Sequence, residues 1–493
     1  MFRFEGMEEE HFLTFLKEGY LDEYMEEIVK RFNLFTPKIQ FALINHLRAH
    51  KELVSLKNLA QVMGITQSDA ELVLYGEAKY VKILLALKEL PQGDTKVSLS
   101  KAIAIPNTSK IITNLPHLKK KLSIISSWLN FPFAVFFEDY FTGDSFMLPL
   151  AISLAVEKIP ENLLFTGKIN KKGDILEVEY LKDKLGFARE NGFRLVHPRN
   201  AKHLQILREF LEKRHWEVPL YITSESEKEC EFFFKSFTEK LNLLQNEFFP
   251  PLELLFGLSK SSFCLVTDQL KTFEDWQRTC IEFYQKVQKV KNTLLGEKVF
   301  HFGIRGASAL AFSLGVLFGH LNPFVLYHYQ VIEGKADYHP LQVMNPREIK
   351  EICKEYSLLK VQTEGEGEDL IVLLNFSHHE LLGDVKRFVG NTGLAPTYLV
   401  LQTEHKGNIP LEAFLPLAKE SASYMQQLRA DRSFRSYHFF FSCPVPLAFM
   451  IGLAFGHYVD GWIYNYQKEG STYEAVLEFR FLRNLREGNV RIT

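Results

Sequence analysis

No GxxxxGK[ST] phosphate loop occurs anywhere in the 493 residues, which excludes a P-loop nucleotide motor. Neither charge dominates: 58 Lys and Arg stand against 60 Asp and Glu, a formal net charge of -2. Nothing in that balance draws the chain to nucleic acid or to an anionic membrane, so any polyanion must meet a local site. Cysteines are few. Cys230, Cys264, Cys280, Cys353 and Cys443 show no CxxC spacing, which argues against zinc and against a disulfide framework, and favours a reducing, cytoplasmic setting. The opening MFRFEGMEEEHF lacks the apolar core of a signal peptide. No metal or cofactor is expected.

What is present is ordinary globular material, 46% hydrophobic and 24% charged, enough for about three domains at roughly 150 residues each. Residues 1–95 alternate apolar and polar positions at helical spacing, and PQGD at 91–94 supplies a turn-rich break. Within them LKNLAQVMGITQSDAELVLYG (56–76) has the layout of a helix-turn-helix, turning at Gly64 and restarting at Thr66. Its second helix carries Asp69 and Glu71 and no Lys or Arg, unlike a DNA reader, so the expectation is a packed helical accessory domain. Residues 96–235 read as strand and helix by turns. FPFAVFFEDY, LLFTGKI, DILEVEY and FRLVHP are strands; FMLPLAISLAVEKI and LKDKLGFAREN are helices. SESEKEC (224–230) and the pair Pro250 and Pro251 mark the passage to a last domain, 245–493.

That domain is a repeat. LAFSLGVLFGH (310–320) and LAFMIGLAFGH (447–457) stand at an offset of 137, which holds without a gap from His301/His438 to Gln330/Gln467. Each copy reads as strand, short turn, apolar helix and strand, preceded by another strand (SFCLVTD, DLIVLLNFSHH), so the domain is two similar α/β halves. From Phe439 to Val459 no side chain is formally charged, about the length of a membrane span. Pro444 and Pro446 interrupt that copy and Arg305 the other, and each helix is only about three turns long, so burial in a large domain is the expectation.

In open α/β sheets, ligands collect where strand carboxyl ends meet helix N-termini, because the unpaired N–H groups there favour an anion. Near those turns stand Arg305, Gly306, Ser308, Ser377, His378, Ser442 and Pro444, the expected ligand-binding set. The paired halves, ending in PLAFMIGLAFGHYVDGWIYNYQKEGSTYEAVLEF (446–479), resemble the SAVED sensor domain. The resemblance implies two fused CARF-like Rossmannoid folds that bind a cyclic oligonucleotide.

In the middle domain YFTGDSFMLPLAISLAVEK (140–158) sets a serine after Gly-Asp, between strand and apolar helix. Such a turn exposes a hydroxyl and leaves helix N–H groups free to stabilise an oxyanion. With TGKINKKGDILEVEYLKDKLGFARENGFRLVHPRN (166–200) it resembles the proteolytic domain of the Lon family. The resemblance implies an α+β fold with Ser145 as nucleophile, Lys184 as general base and Thr166 as the third catalytic position, Ser153 being a remote alternative nucleophile. A Ser-Lys dyad needs a neutral lysine, hence a buried one. At 100° per residue Lys184 falls on the apolar side of its helix, near Leu181, Phe187 and Ala188, while Lys182 lies at the opposite margin. Phe146 and Met147 replace the small residues usual after the serine, and the stretch from Ser145 to Thr166 is shorter than usual.

The order helical segment, Lon-like domain, SAVED-like domain resembles the CRISPR-associated Lon proteases. The resemblance implies an ATP-independent type III CRISPR effector: cyclic tetra-adenylate drives self-association, and the protease cuts a partner protein that restrains a sigma factor. No direct DNA partner and no membrane are expected. The alternative is a non-catalytic nucleotide-sensing regulator whose Lon-like domain is a scaffold.

Overall fold

In a computed structural model, which describes residues 7–88, 95–267, 270–319, 321–332, 334–342, 344–468 and 470–489, the chain is mixed α/β and divides into two units, Met1–Lys213 and Arg214–Thr493. The first six residues of the opening stretch, the PQGD turn at 91–94 and His320 of the repeat lie outside the described residues.

The first unit opens with α1 (Glu9–Lys17), α2 (Met25–Lys30), α3 (Pro37–Ala49), α4 (Leu56–Met63) and α5 (Gln67–Tyr75). Thr36, Ser55 and Thr66 each accept a backbone N–H at the start of α3, α4 and α5, and Gly64 (φ +61°) ends α4 in the left-handed region. The helix-turn-helix layout is therefore present, but both ends of α5 are engaged within the unit. Asp69, 1% exposed, accepts the Ser109 N–H at 2.7 Å and its hydroxyl at 2.5 Å. Arg48 donates to the carbonyls of Val73 and Gly76 at the other end.

The break expected at residue 95 does not separate two domains. β1 (Lys79–Lys88) is a strand, not a continuation of the helices: Val81, Ile83 and Leu85 are buried at period two while Tyr80 and Lys82 are exposed. It pairs along its length with β2 (Thr95–Pro106), from Lys79↔Ala104 to Lys88↔Thr95. With β3 (Ile112–Thr113) and β4 (Phe133–Phe137) they form a sheet of order β1-β2-β4-β3. Ile103, Ile105, Ala134 and Phe136 on one face share a single core with the five helices, so cutting at 95 would expose both partners of that core. On the other face Phe137 meets Phe141 and Phe146 edge-on. The rest of the unit is α6 (Lys119–Leu129), α7 (Met147–Ala155), β5 (Leu163–Phe165), β6 (Lys168–Ile169), β7 (Ile175–Leu176), α8 (Leu181–Glu190), β8 (Arg194–Val196) and α9 (Leu204–Glu212). β5 lies parallel to β8 and β6 antiparallel to β7. Of DILEVEY only Ile175 and Leu176 are in a strand.

The second boundary also moves. The second unit begins with β9 (His215–Thr223), α10 (Glu227–Lys240), α11 (Gln245–Phe256), β10 (Cys264–Val266), α12 (Phe273–Thr293), β11 (Glu297–Arg305), α13 (Ser308–Phe318), β12 (Phe324–Ile332) and β13 (Lys335–Pro340). Its first sheet runs β10-β9-β11-β12-β13. β9 sits between two parallel partners and α10 stacks Phe233 on Tyr221, so both belong to this unit and not to the one before. Pro250 and Pro251 lie inside α11, which is held to α10 by Phe248 against Phe237 and Phe249 against Phe234, and they mark no linker. The expectation of unpaired cysteines is likewise corrected: Cys230 on α10 and Cys264 on β10 are joined in a disulfide, which residues 34 apart in the chain do not announce.

The second half follows: β14 (Lys360–Glu364), β15 (Asp369–Asn375), α14 (Leu382–Val389), β16 (Pro396–Gln402), α15 (Phe414–Asp431), β17 (Ser436–Ser442), α16 (Val445–Phe455), β18 (Gly461–Gln467), β19 (Thr472–Glu478) and α17 (Phe479–Arg486). Its sheet runs β14-β16-β15-β17-β18-β19. The repeat is reproduced in detail. His301 Nδ1 lies 3.1 Å from the Tyr327 hydroxyl and His438 Nδ1 lies 3.0 Å from that of Tyr464. A carboxylate closes each line: Glu217 2.5 Å from His301 Nε2, and Asp369 reached from His438 through the Ser436 hydroxyl. Between the sheets α13 and α16 cross where each presents a glycine. A Cβ on Gly315 would overlap the Phe449 carbonyl oxygen, and one on Gly452 that of Phe312. Both helices are buried after their first residue, and among the described residues no helix is long and apolar enough to cross a membrane.

Candidate functional site

In the first unit a cavity of about 920 Å³ is lined by Ser145, Lys184, Asp144, Lys121, Lys168 and Tyr180, with Leu85 to Leu87 of β1 along one side. That is near the upper end of small-ligand pockets, roughly 300–1,000 Å³. Ser145 is half-buried in the turn before α7, its hydroxyl 3.4 Å from the Leu84 carbonyl. The turn is pinned from the β6 side: the Gly167 N–H donates to the Ser145 carbonyl at 3.3 Å, and the Leu148 N–H donates to the Gly167 carbonyl at 3.0 Å. Among the described residues the N–H groups of Ser145 and Phe146 have no acceptor, which leaves two donors at the head of a helix.

Lys184 is 3% exposed on α8, whereas Lys182 is exposed. Burial pulls its ammonium down to about 8, opposed in part by the charge of Glu179, and no described residue forms an ion pair with it. Asp144 behaves oppositely. Burial works to raise its carboxyl, but hydrogen bonds and charge from Lys121 (2.5 Å) and Lys168 (3.0 Å) outweigh that and hold it below the usual range. Lys121 also donates to the Thr142 carbonyl at 2.6 Å, clamping the loop that carries Gly143. Neither lysine was expected from the sequence; Lys121 ends the KKK run at 119–121 and Lys168 follows the TG at 166–167. Thr166 is fully buried behind the turn with its hydroxyl unpaired and does not line the cavity. Ser153 is buried on α7, away from the lining residues.

In the second unit the strand ends and helix starts meet as the repeat implies. The Ser308 hydroxyl, at the head of α13, donates to the Cys443 carbonyl at 2.5 Å, just before α16, and ties the two turns together. The Ser442 carbonyl accepts the N–H groups of Phe376 and Ser377, each at 2.7 Å, as the Arg305 carbonyl accepts that of Ser224 at 3.3 Å. Beside these turns lies a cavity of about 300 Å³ lined by Ser377, Pro444, His328, Gln330, Asn408 and Phe414 among others. His378 packs its ring on Gly407, where a Cβ would strike it, behind the same cavity. Ser377 and Pro444 of the expected set are thus brought together, and Ser308 and Ser442 shape the turns without lining the space. Gly306 faces open space, a Cβ there meeting only Ser224 at 4.0 Å.

Arg305 is not free for a ligand in this state. Its guanidinium pairs with Glu225 at 2.8 Å and Glu229 at 2.9 Å and lies 4.9 Å from the centre of the Tyr329 ring. His328 and Gln330 were missed. They share one face of β12 at the i, i+2 spacing visible in YHYQ. Burial, with the nearby His339, lowers His328 to about 4, so it offers a neutral imidazole.

Residues 283–479 match the family model SAVED, "SMODS-associated and fused to various effectors sensor domain". No curated protein matches the chain. Among solved structures, the Cap4 SAVED/CARF-domain containing receptor of Acinetobacter baumannii with the cyclic trinucleotide 2'3'3'-cAAA is 16% identical, covering 53% of this chain and 51% of that one at a TM-score of 0.36. The same receptor with 3'3'3'-cAAA is 17% identical over 42% and 44%, TM-score 0.32. The Moraxella osloensis Cap4 receptor is 14% identical over 44% and 47%, TM-score 0.30. The chain spans about half the length of these structures. The second unit, over residues 283–479, contains a SAVED sensor domain.

Proposed function

We propose that the chain is an ATP-independent serine endopeptidase switched by a cyclic oligonucleotide, cyclic tetra-adenylate being the ring the sequence resemblance points to. The observation that carries the protease reading is the pairing of a half-buried serine with a desolvated lysine on one cavity. Neutral Lys184 takes the Ser145 proton as Oγ bonds to the peptide carbonyl carbon, and the oxyanion turns to the free N–H groups at the head of α7. The resulting ammonium returns the proton to the leaving amine as the C–N bond breaks. Water, deprotonated by the same lysine, then releases the acyl group.

The SAVED domain supplies the sensor. The 300 Å³ cavity is small for a whole cyclic tetranucleotide, so the ring lies across the face and sends one base inward, against His328 and Gln330. Ligand binding favours an assembled state only if that state binds the ring more tightly. Following the resemblance, the substrate is a protein that restrains a sigma factor and the setting is type III CRISPR defence in the cytoplasm. The test is cleavage of that partner with and without cyclic tetra-adenylate, by wild type, Ser145→Ala and Lys184→Ala. Ligand-dependent cutting lost in both variants is expected; ligand binding without cutting would leave a nucleotide-sensing regulator on a Lon-like scaffold.

A further inference from the structure

Tyr180 holds a backbone conformation that its side chain makes costly. At φ +57° and ψ +31° it stands in the left-handed region, immediately before α8. A β-carbon there crowds the following carbonyl, and a bulky residue is an outlier. Among the described residues the other non-glycine positions with positive φ are Asn107, Asn130, Asn242 and Ser471, all with short polar side chains. No polar or aromatic partner offsets the cost at Tyr180. Among the described residues its hydroxyl makes no hydrogen bond, its ring meets no other ring and no cation, and the residue is 37% exposed. Strain of this kind, held in place by the surrounding structure, is a pointer to function.

What Tyr180 does face is the cavity of Ser145 and Lys184. The Lys184 N–H donates to the Tyr180 carbonyl at 3.1 Å and closes the first turn of α8, which fixes the two residues about one helical turn apart. Neighbouring residues of a peptide lie about 3.8 Å apart, so a carbonyl held at Ser145 brings a flanking side chain within reach of the ring. The same cavity is lined by Leu87, 56% exposed, and Tyr140, 63% exposed. Tyr140 is backed by His117, with 4.9 Å between ring centres, and His117 Nε2 donates to the Phe141 carbonyl at 2.7 Å. The charged residues of the lining are already engaged. Asp144 holds Lys121 and Lys168, Glu177 lies 3.2 Å from Arg199, and Glu179 acts on Lys184. A charged substrate side chain would have to displace one of these pairs, whereas an apolar one removes exposed ring surface from water.

We propose that Tyr180 is a specificity-determining residue, forming with Tyr140 and Leu87 the subsite for an aromatic or branched apolar side chain next to the scissile bond. The proposal rests on the protease reading and names the substrate class of that site. The test incubates the full chain and cyclic tetra-adenylate with a pool of peptides of mixed sequence and maps the cut positions by mass spectrometry. Wild type should favour aromatic and branched apolar residues beside the cut by about tenfold over charged ones. Tyr180→Gly should lose that preference and Tyr180→Phe keep it. Glycine enters the left-handed region freely, so Tyr180→Gly should unfold no earlier than wild type. No apolar preference in wild type, or the same preference in Tyr180→Gly, overturns the proposal, as does a glycine variant that unfolds earlier, the mark of a purely structural ring. Absence of all cutting counts against the protease reading, and fluorescence anisotropy on Ser145→Ala then decides the subsite. The probes are two fluorescein-labelled alanine tetrapeptides, one with a central phenylalanine and one with a central aspartate. Tighter binding of the phenylalanine peptide, lost in Ser145→Ala/Tyr180→Gly, upholds the subsite without the protease; equal binding of the two overturns it.

Discussion

Lys184 carries a cost that its neighbours do not repay. Its pKa falls from 10.5 to about 8 because burial penalises the ammonium, so at pH 7 roughly a tenth is neutral. Cleavage is expected to rise with pH and level off above about 8, and that limb should vanish from the residual rate of Lys184→Ala. The same shift affects stability. The folded state releases this proton near 8 and the unfolded chain near 10.5, so the penalty is complete below 8 and fades between the two. Lys184→Met should therefore stabilise at pH 7 by on the order of 2–3 kcal/mol in denaturant titrations, with the gain shrinking toward pH 10.5. Thr166 poses a sharper test. Its hydroxyl is buried and unpaired, so Thr166→Val should leave stability unchanged or raise it by about 1 kcal/mol. A fall in cleavage without any loss of stability would show that the hydroxyl serves the reaction. Helical periodicity separated Lys184 from Lys182 in agreement with the Lon resemblance. It could not show that Arg305 is held by Glu229, 76 residues earlier in the chain, because ion pairs between distant elements leave no local pattern.

At the scale of elements, the crossing of α13 and α16 is the most constrained contact in the second unit. Gly315→Ala or Gly452→Ala drives a methyl into a backbone oxygen that cannot swing away. Each should cost roughly 3 kcal/mol or more by overpacking, read as a shift in unfolding midpoint, whereas Ala454→Gly on the same helix should cost about 1 kcal/mol for its backbone entropy. The offset of 137 announced these paired elements because helix and strand ends recur with the repeat: α13 and α16 begin and end at matching positions. β1 was not legible in the same way. Leu84 is buried beneath α8 on the face opposite Val81 and Ile83, and a strand covered on both faces loses clean alternation. Pro250 and Pro251 misled for the converse reason, since phenylalanine packing holds α11 together where local propensity would break it.

For the molecule as a whole, the boundary between units falls at 213/214, and expression of fragments tests it. Residues 214–493 should fold cooperatively. A fragment starting at 245 lacks β9, the strand joining β10 to β11, and should be insoluble or molten by near-ultraviolet circular dichroism. Residues 96–213 should fail likewise, having lost β1 and the five helices that cover Ile103, Ile105 and Phe136. A core shared by distant segments is visible only once strands are paired, which is why composition breaks placed both cuts inside sheets or cores. The claim at the centre of this account is that Ser145 is a nucleophile made reactive by Lys184. Its most direct measurement is the rate of covalent labelling by a serine-directed aryl phosphonofluoridate, located by peptide mass spectrometry across pH with and without cyclic tetra-adenylate. The account expects label on Ser145, faster with ligand, rising through pH 8 and lost in Lys184→Ala. Label that stays absent under every condition, or that persists unchanged in Lys184→Ala, would contradict it.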